Sequence, residues 1–390
     1  MKKMKKYNLL LPIAGEAQRF KDAGYNAPKP LIMANDRHII DWAMESVKMD
    51  ECNVIFVVRS EHIYTFSIDE VLKQKFGNNI KIVVVQERTD GAVSTCLLAK
   101  EYIDNDLPLI IYTPDVCFSP QFDPSSIDTE LDGMLLTFKA NSPAHSYLDI
   151  DENGLVTKTI EKEVISTDAA VGVYHYKRGS DFVKYAEMMI EQNIRTKNEF
   201  YICPMYNLLI EDGLKIGYHQ TEKMHVLGTP EELEFFEKYV IQQFGKKPIG
   251  LCSDHSGFEL KENLKEKLTK AGLEYIDFGT YVNKHCDYNE FVTQACQSIQ
   301  KGVCDYVIGS CRSGNGVNIC ANKHKDIRAA AVYDTYTAEF AIRHNAANFF
   351  TMPSKYTNID NLIDMFEIMK KSTFDGGRHM TRMSKTLKNG

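Results

Sequence analysis

Short apolar runs alternate along the chain with longer stretches in which apolar positions recur every three or four residues. The runs read as buried strands and the stretches as amphipathic helices. Strands are expected at 8–14, 53–60, 81–86, 107–113, 134–139 and 170–176. A helix is expected over 231–244, with Thr229 as its cap and Pro230 as its first residue. The sequence Gly245-Lys246-Lys247-Pro248 reads as a linker, after which the alternation restarts. Further strands are expected at 248–253, 274–278, 306–310 and 328–334, and helices at 257–271, 290–300, 337–344 and 361–371. This pattern predicts the α/β class with mostly parallel strands. The restart predicts two domains, 1–244 and 245–390, each long enough to bury its own core.

Composition narrows the function classes. The chain is 44% hydrophobic and 25% charged, which argues against a mainly disordered protein. No apolar run approaches the roughly 18 residues of a membrane span, so no membrane partner is expected. MKKMKK before YNLLLPIAG has the outline of a signal peptide, but Glu16, Arg19 and Lys21 stand where a small-residue cleavage site belongs. A formal net charge of −7 argues against nucleic acid as a partner. The ten cysteines form no CxxC pair, which argues against zinc knuckles and fits a reducing cytoplasm without disulfides.

The loop after the first strand reads GEAQRF, residues 15–20, and PKPLI follows at 28–32. A glycine-started loop with exposed N–H groups suits a polyphosphate, and Arg19 and Lys29 supply charge for a crowded phosphorus centre. An ordinary βα turn with two surface cations is the plain alternative. Asp115 ends the run LIIYTPD, at the edge where open α/β sheets bind ligands. A carboxylate there suits Mg²⁺, which takes one or two carboxylates plus substrate phosphates.

With DGAVST, SYLDIDENG, the Glu161-Lys162 pair, NEFYICPMYN and GTPEEL, these motifs make residues 7–240 resemble the sugar-phosphate nucleotidylyltransferases. The resemblance implies a GT-A-like Rossmann-type fold and attack of a sugar phosphate on the α-phosphate of an NTP, releasing pyrophosphate. It implies that Gly15 and Arg19 hold the triphosphate, Lys29 stabilises the transition state, and Asp115 binds Mg²⁺. Gln86 and Gly91 would contact the base, and Glu161 and Lys162 the sugar phosphate. Two departures stand out. Ala17 and Gln18 replace a glycine and a hydroxyl residue of the loop, where an alanine N–H still donates if φ stays negative. Val226 stands where the family often carries a second metal-binding aspartate, so Mg²⁺ would rest on Asp115, phosphates and water.

In the second half, Asp254-His255 follow a strand and GSCRSGNGVNICANK spans 309–323. Cys311 falls at a strand tip before glycines whose N–H groups can meet an oxyanion. The alternatives are a capping aspartate, a solvated histidine and an inert buried thiol. Arg378 and Arg382 are four apart, so on a helix they share a face and can grip one phosphate; a solvated basic tail is the alternative. With DFGT, IRAA, DTYTA, HNAAN and GGRHMTR, residues 248–386 resemble ribose-5-phosphate isomerase B and the galactose-6-phosphate isomerase subunits.

That resemblance implies a doubly wound α/β fold and cofactor-free aldose–ketose isomerisation through a cis-enediolate. It makes Cys311 the base, Ser313 and the N–H groups of Gly314–Gly316 the enediolate stabilisers, and Asp254 and His344 the ring-opening pair. His255, Arg328, Arg378 and Arg382 would bind the phosphate, Tyr288 would line the substrate, and Asn345 would meet its hydroxyls. The site is expected to be shared between two copies, with His344 from the partner, so a homodimer is implied. Arg312, Asn289 and the stretch 351–356 depart from the family pattern. Val317 holds the position of an alternative glutamate base, leaving Cys311 as the candidate.

Fusion of the two implies a bifunctional enzyme making an activated nucleotide sugar, or a nucleotide-linked ketose or alditol, for surface or capsule polysaccharide. CTP is the favoured donor, because isomerases of this kind leave phosphate on a terminal carbon. The alternatives are an isomerase with a nucleotide-sensing domain, or a transferase with an isomerase-like dimerisation module.

Overall fold

The computed structural model describes residues 5–387. The chain forms two compact units. The first runs to Glu234 and regains Gly376–Lys385; the second is Phe235–Asp375 with 386–387. The boundary thus falls about ten residues before the expected linker. The physical reason is aromatic: Phe244 stacks among Tyr306, Phe350 and Phe366 of the second unit's core, and Phe235 packs on Tyr239 and Phe374.

In the first unit a mixed sheet has the order Val156–Glu161, Ser146–Ile150, Asp168–Tyr176, Leu109–Tyr112, Tyr7–Pro12, Cys52–Arg59, Lys81–Val85. Gly133–Lys139 pairs with Asp168–Tyr176 and Ile216–Gln220 with Gly133–Lys139. The strands Tyr7–Pro12, Cys52–Arg59, Lys81–Val85 and Leu109–Tyr112 are parallel, as expected. From Asp168–Tyr176 outward, its pairings with Leu109–Tyr112, Gly133–Lys139 and Ser146–Ile150 are antiparallel. Successive residues of the apolar runs feed opposite cores. Leu10, Ile55 and Ile111 face the helices Gly179–Glu191 and Ile202–Glu211, whereas Leu9, Leu11, Phe56 and Ile110 face Ile39–Met44 and Ile68–Phe76. Burial on both faces is why these strands read as continuous apolar runs rather than alternating ones.

The second unit is a five-stranded all-parallel sheet in the order Tyr275–Asp277, Ile249–Ser253, Val307–Cys311, Phe349–Pro353, Ala329–Ala331. Ile249, Leu251, Ile308 and Phe350 pack toward the helices Phe258–Lys270 and Leu362–Lys371. Cys252, Val307 and Phe349 pack toward Asn289–Gln300 and Asn315–Ala321. On Phe258–Lys270 the buried residues are Leu260, Leu264 and Leu268, spaced one helical turn apart, and Lys261. Buried Lys261 pairs with Asp277 at 2.5 Å, which meets the requirement that a buried charge be paired.

In each unit the chain leaves its first strand in one direction and returns on the other side. The strand order therefore reverses beside Tyr7–Pro12 in one and beside Ile249–Ser253 in the other. Such reversals open a crevice at the carboxyl ends of the strands. Among the described residues no helix is long and apolar enough to cross a membrane.

Candidate active sites

A cleft of about 440 Å³ opens at the first reversal, lined by Gly15, Arg19, Lys29, Asp115 and Gly228 among others. The loop after Tyr7–Pro12 supplies Gly15, and the short helix Gln18–Asp22 supplies Arg19. Lys29 opens a single 3₁₀ turn, Lys29–Leu31, and its Nζ lies 3.3 Å from Asp115 Oδ2. Ala17 does not keep a negative φ: it sits in the left-handed region at φ 52° and caps Gln18–Asp22. The alanine thus adopts the glycine conformation that the loop demands, at a cost of about 1–2 kcal/mol.

Backbone pairing explains how the GTPEEL motif reaches this cleft. Lys223–Val226 lies antiparallel to Val116–Ser119, and the Leu227 N–H donates to the Asp115 carbonyl at 2.7 Å. The helix Pro230–Tyr239 starts as expected, with Thr229 Oγ1 accepting the Glu232 N–H at 3.2 Å. Glu232 Oε2 accepts the Gly228 N–H at 3.0 Å. A Cβ built at Gly228 would lie 3.1 Å from Glu232 Oε2, 3.6 Å from Val226 Cγ1 and 3.7 Å from Asp115 Oδ2. The glycine therefore keeps open a point on which two carboxylates converge. Burial, and then the Asp115 charge, lift the Glu232 carboxyl above its ordinary value. No cluster of three or more His, Cys, Asp or Glu suited to a metal occurs among the described residues. The open, carboxylate-flanked point beside Gly228 nevertheless fits a hard cation that takes its other ligands from phosphates and water. Sequence reasoning missed Glu232, whose spacing from Thr229 signals only a helix cap.

The remaining expected residues of the first unit lie outside that cleft lining. Gln86 is exposed, just past the strand Lys81–Val85. Gly91 has φ 123°, and a Cβ there would meet the Phe200 backbone N at 2.6 Å, so close packing alone requires the glycine. Glu161 ends its strand, hydrogen-bonded to Ser146, with burial raising its carboxyl. Lys162 donates to the Tyr201 hydroxyl at 2.6 Å and lies over that ring.

In the second unit, Cys311 is buried at the tip of Val307–Cys311. Asp254 follows Ile249–Ser253 on the neighbouring strand, where Ser253 pairs with Ser310. Asp254 is buried, and its Oδ1 accepts the Gly257 N–H at 2.9 Å, a turn-forming contact. His255 Nδ1 lies 3.1 Å from the Cys286 carbonyl, and its ring stacks on His285 at 4.7 Å; His285 was not anticipated. Ser313 and Gly314 lead into Asn315–Ala321, with Gly314 at φ 76°. A Cβ at Gly316 would lie 2.7 Å from the Tyr288 hydroxyl, so only glycine lets that tyrosine close on the loop. Cys311, Asp254, Tyr288 and the Ser313–Gly316 loop thus gather at one sheet edge.

Arg328, His344 and Asn345 are at the other edge. Arg328 precedes Ala329–Ala331, whose first residue is level with Phe349 and hence with Val307, whereas Cys311 is level with Pro353. At about 3.3 Å per residue the separation along the strand is roughly 13 Å. Arg328 Nε donates to the Asn345 carbonyl at 2.6 Å, and His344 Nε2 lies 3.8 Å from Asp375. Arg378 and Arg382 fall on the helix Gly377–Leu387, in the segment that belongs to the first unit. The second unit of one chain therefore does not assemble the full expected set around Cys311.

Residues 249–386 match the family described as Ribose/Galactose Isomerase. Ribose-5-phosphate isomerase B of Escherichia coli is 31% identical over 137 residues, 35% of this chain and 92% of that protein. A probable ribose-5-phosphate isomerase B of Mycoplasma pneumoniae is 34% identical over 141 residues, 36% of this chain and 93% of that protein. A nucleoside-diphosphate-sugar pyrophosphorylase from Vibrio cholerae superposes with a TM-score of 0.54 at 25% identity, over 59% of this chain and 99% of its own. The chain thus joins a nucleotidyltransferase-like unit to an isomerase domain, and through residues 249–386 it belongs to the ribose/galactose isomerase family.

Proposed function

We propose that the chain is a bifunctional enzyme of sugar-phosphate metabolism. Its first unit transfers a nucleotidyl group from an NTP, with CTP favoured, to a sugar phosphate and releases pyrophosphate. Its second unit interconverts an aldose and a ketose phosphate. One observation carries the reading: each unit reverses its strand order beside its first strand, with a cleft at the first reversal, and the residue types at the carboxyl ends of the strands there suit each reaction. The family match and the pyrophosphorylase-like fold support it.

In the first crevice, the Gly15 loop and Arg19 hold the triphosphate, and Lys29 neutralises charge as the acceptor phosphate oxygen bonds to the α-phosphorus and pyrophosphate leaves. Mg²⁺, held by Asp115, would supply further neutralisation of the phosphate oxygens. Gln86 and Gly91 receive the base, and Glu161 and Lys162 the sugar phosphate.

At the second reversal, the Cys311 thiolate takes a proton from the carbon beside the open-chain carbonyl and returns it to the neighbouring carbon. The N–H groups at Gly314–Gly316, with Ser313, meet the oxygen that gains charge in the enediolate, without a cofactor. Asp254 serves ring opening and His255 and Tyr288 hold the substrate. A second copy of the chain supplies His344, Arg328 and Asn345, which explains why one chain keeps them at the far sheet edge.

Pyrophosphate release with each NTP against 5-, 6- and 1-phosphates of pentoses and hexoses tests the first activity, and ketose formation from ribose-5-phosphate the second. Asp115→Asn is expected to lower transfer by ~10³-fold or more and spare isomerisation. Cys311→Ala is expected to do the reverse. Silence across the NTP panel would favour a nucleotide-sensing first unit; isomerisation surviving Cys311→Ala would remove Cys311 as base.

A further inference from the structure

We infer that Glu232 is a second carboxylate ligand of the first unit's cation, closing the site across Gly228 from Asp115. The inference rests on the transferase reading of that unit. The geometry begins with the glycine. The point a Cβ would occupy at 228 is flanked by Glu232 Oε2 at 3.1 Å and Asp115 Oδ2 at 3.7 Å, with Val226 Cγ1 at 3.6 Å. Both Asp115 and Gly228 line the cleft of about 440 Å³.

Charge balance gives the reason. Asp115 has Lys29 at 3.3 Å, but among the described residues no lysine or arginine forms an ion pair with Glu232. Arg19 also lines the cleft, so two carboxylates there face two cations and leave no positive excess for an incoming polyanion. A divalent cation between the carboxylates and the phosphates supplies that excess. Glu232 is also held in place, because the Gly228 N–H fixes Oε2 at 3.0 Å and leaves the remaining lone pairs for a metal.

Helix capping alone would require an acceptor at 232 but no charge. Glu232→Gln keeps the acceptor and removes the charge, so it separates the two roles. The measurement is Mn²⁺ affinity of the full chain in saturating pyrophosphate, read from the electron paramagnetic resonance signal of free Mn²⁺. Asp115→Asn is the reference. Glu232→Gln is expected to weaken Mn²⁺ binding by at least ~10-fold with unfolding midpoint unchanged. Val226→Asp in that background, which places a carboxylate at the same point, is expected to restore it. If Glu232→Gln lost its fold, Val226→Asp alone would carry the test: several-fold tighter Mn²⁺ binding supports the site, and unchanged binding overturns it. Equal affinity in the natural chain and Glu232→Gln overturns the inference and leaves the transferase reading standing. Absence of Mn²⁺ binding in the natural chain overturns both.

Discussion

Ala17 carries more information than its size suggests. An L-residue with a Cβ at φ 52° is disfavoured, yet the alanine holds that conformation at the turn between the first strand and Arg19. The surrounding loop therefore dictates the backbone and the side chain tolerates it. Replacing Ala17 by glycine is expected to stabilise the first unit by about 1 kcal/mol, the relief of left-handed strain less the extra chain entropy. Trp42, the single tryptophan, lies on Ile39–Met44 in that unit and makes a local probe. Its fluorescence should report a higher urea midpoint for Ala17→Gly; a lower one would mean the methyl packs favourably. The same residue shows the reach of sequence reading. A single missing glycine was visible, but whether the loop would change shape or the alanine would yield was not written in the motif.

At the scale of elements, the buried parallel strands were legible because burial on both faces writes a continuous apolar run. The expected 53–60 appears as Cys52–Arg59 and 170–176 as Asp168–Tyr176. Phe349–Pro353, although paired on both sides in its sheet, escaped notice. It follows soon after the end of a helix and closes on a proline. Antiparallel pairing at Asp168–Tyr176 was hidden for a different reason, since strand direction depends on long-range partners. The site divides likewise. Lys29, Asp115 and Cys311 announced themselves by local motif, whereas Gly228, with Glu232 beside it, is brought next to Asp115 only through the pairing of Lys223–Val226 with Val116–Ser119. The segment Gly376–Lys385 makes the point again, because GGRHMTR reads as part of the isomerase-like half, yet the segment clusters with the first unit. Gly376 forms a parallel bridge with Met224, at φ 68°, and a Cβ there would press on the Met224 carbonyl and lie 2.8 Å from His225 Nδ1. Gly376→Val is therefore expected to cost the first unit about 3 kcal/mol, through strain and overpacking. A lowered Trp42 urea midpoint would register it, and an unchanged one would show that this bridge contributes nothing.

For the whole molecule, the separation of Cys311 from His344 within one chain makes the proposed isomerase site a property of two copies. A mixing experiment follows. Cys311→Ala and His344→Gln chains should each be nearly inactive in isomerisation. After subunit exchange at equal amounts, half the dimers would be mixed, each with one intact site, so roughly a quarter of natural activity should return. No recovery, under conditions where exchange is demonstrated by mass, would place both residues in one chain's site and remove the shared arrangement.

The path of the chain has a consequence for its synthesis. The first unit is interrupted: it uses residues up to Glu234 and then waits for Gly376–Lys385. On the ribosome, the main segment of the second unit, Phe235–Asp375, emerges before the first receives its last piece. A premature stop anywhere within the isomerase domain therefore removes part of the upstream unit as well. A single cut after Glu234 would therefore part Gly376–Lys385 from the unit it packs with here.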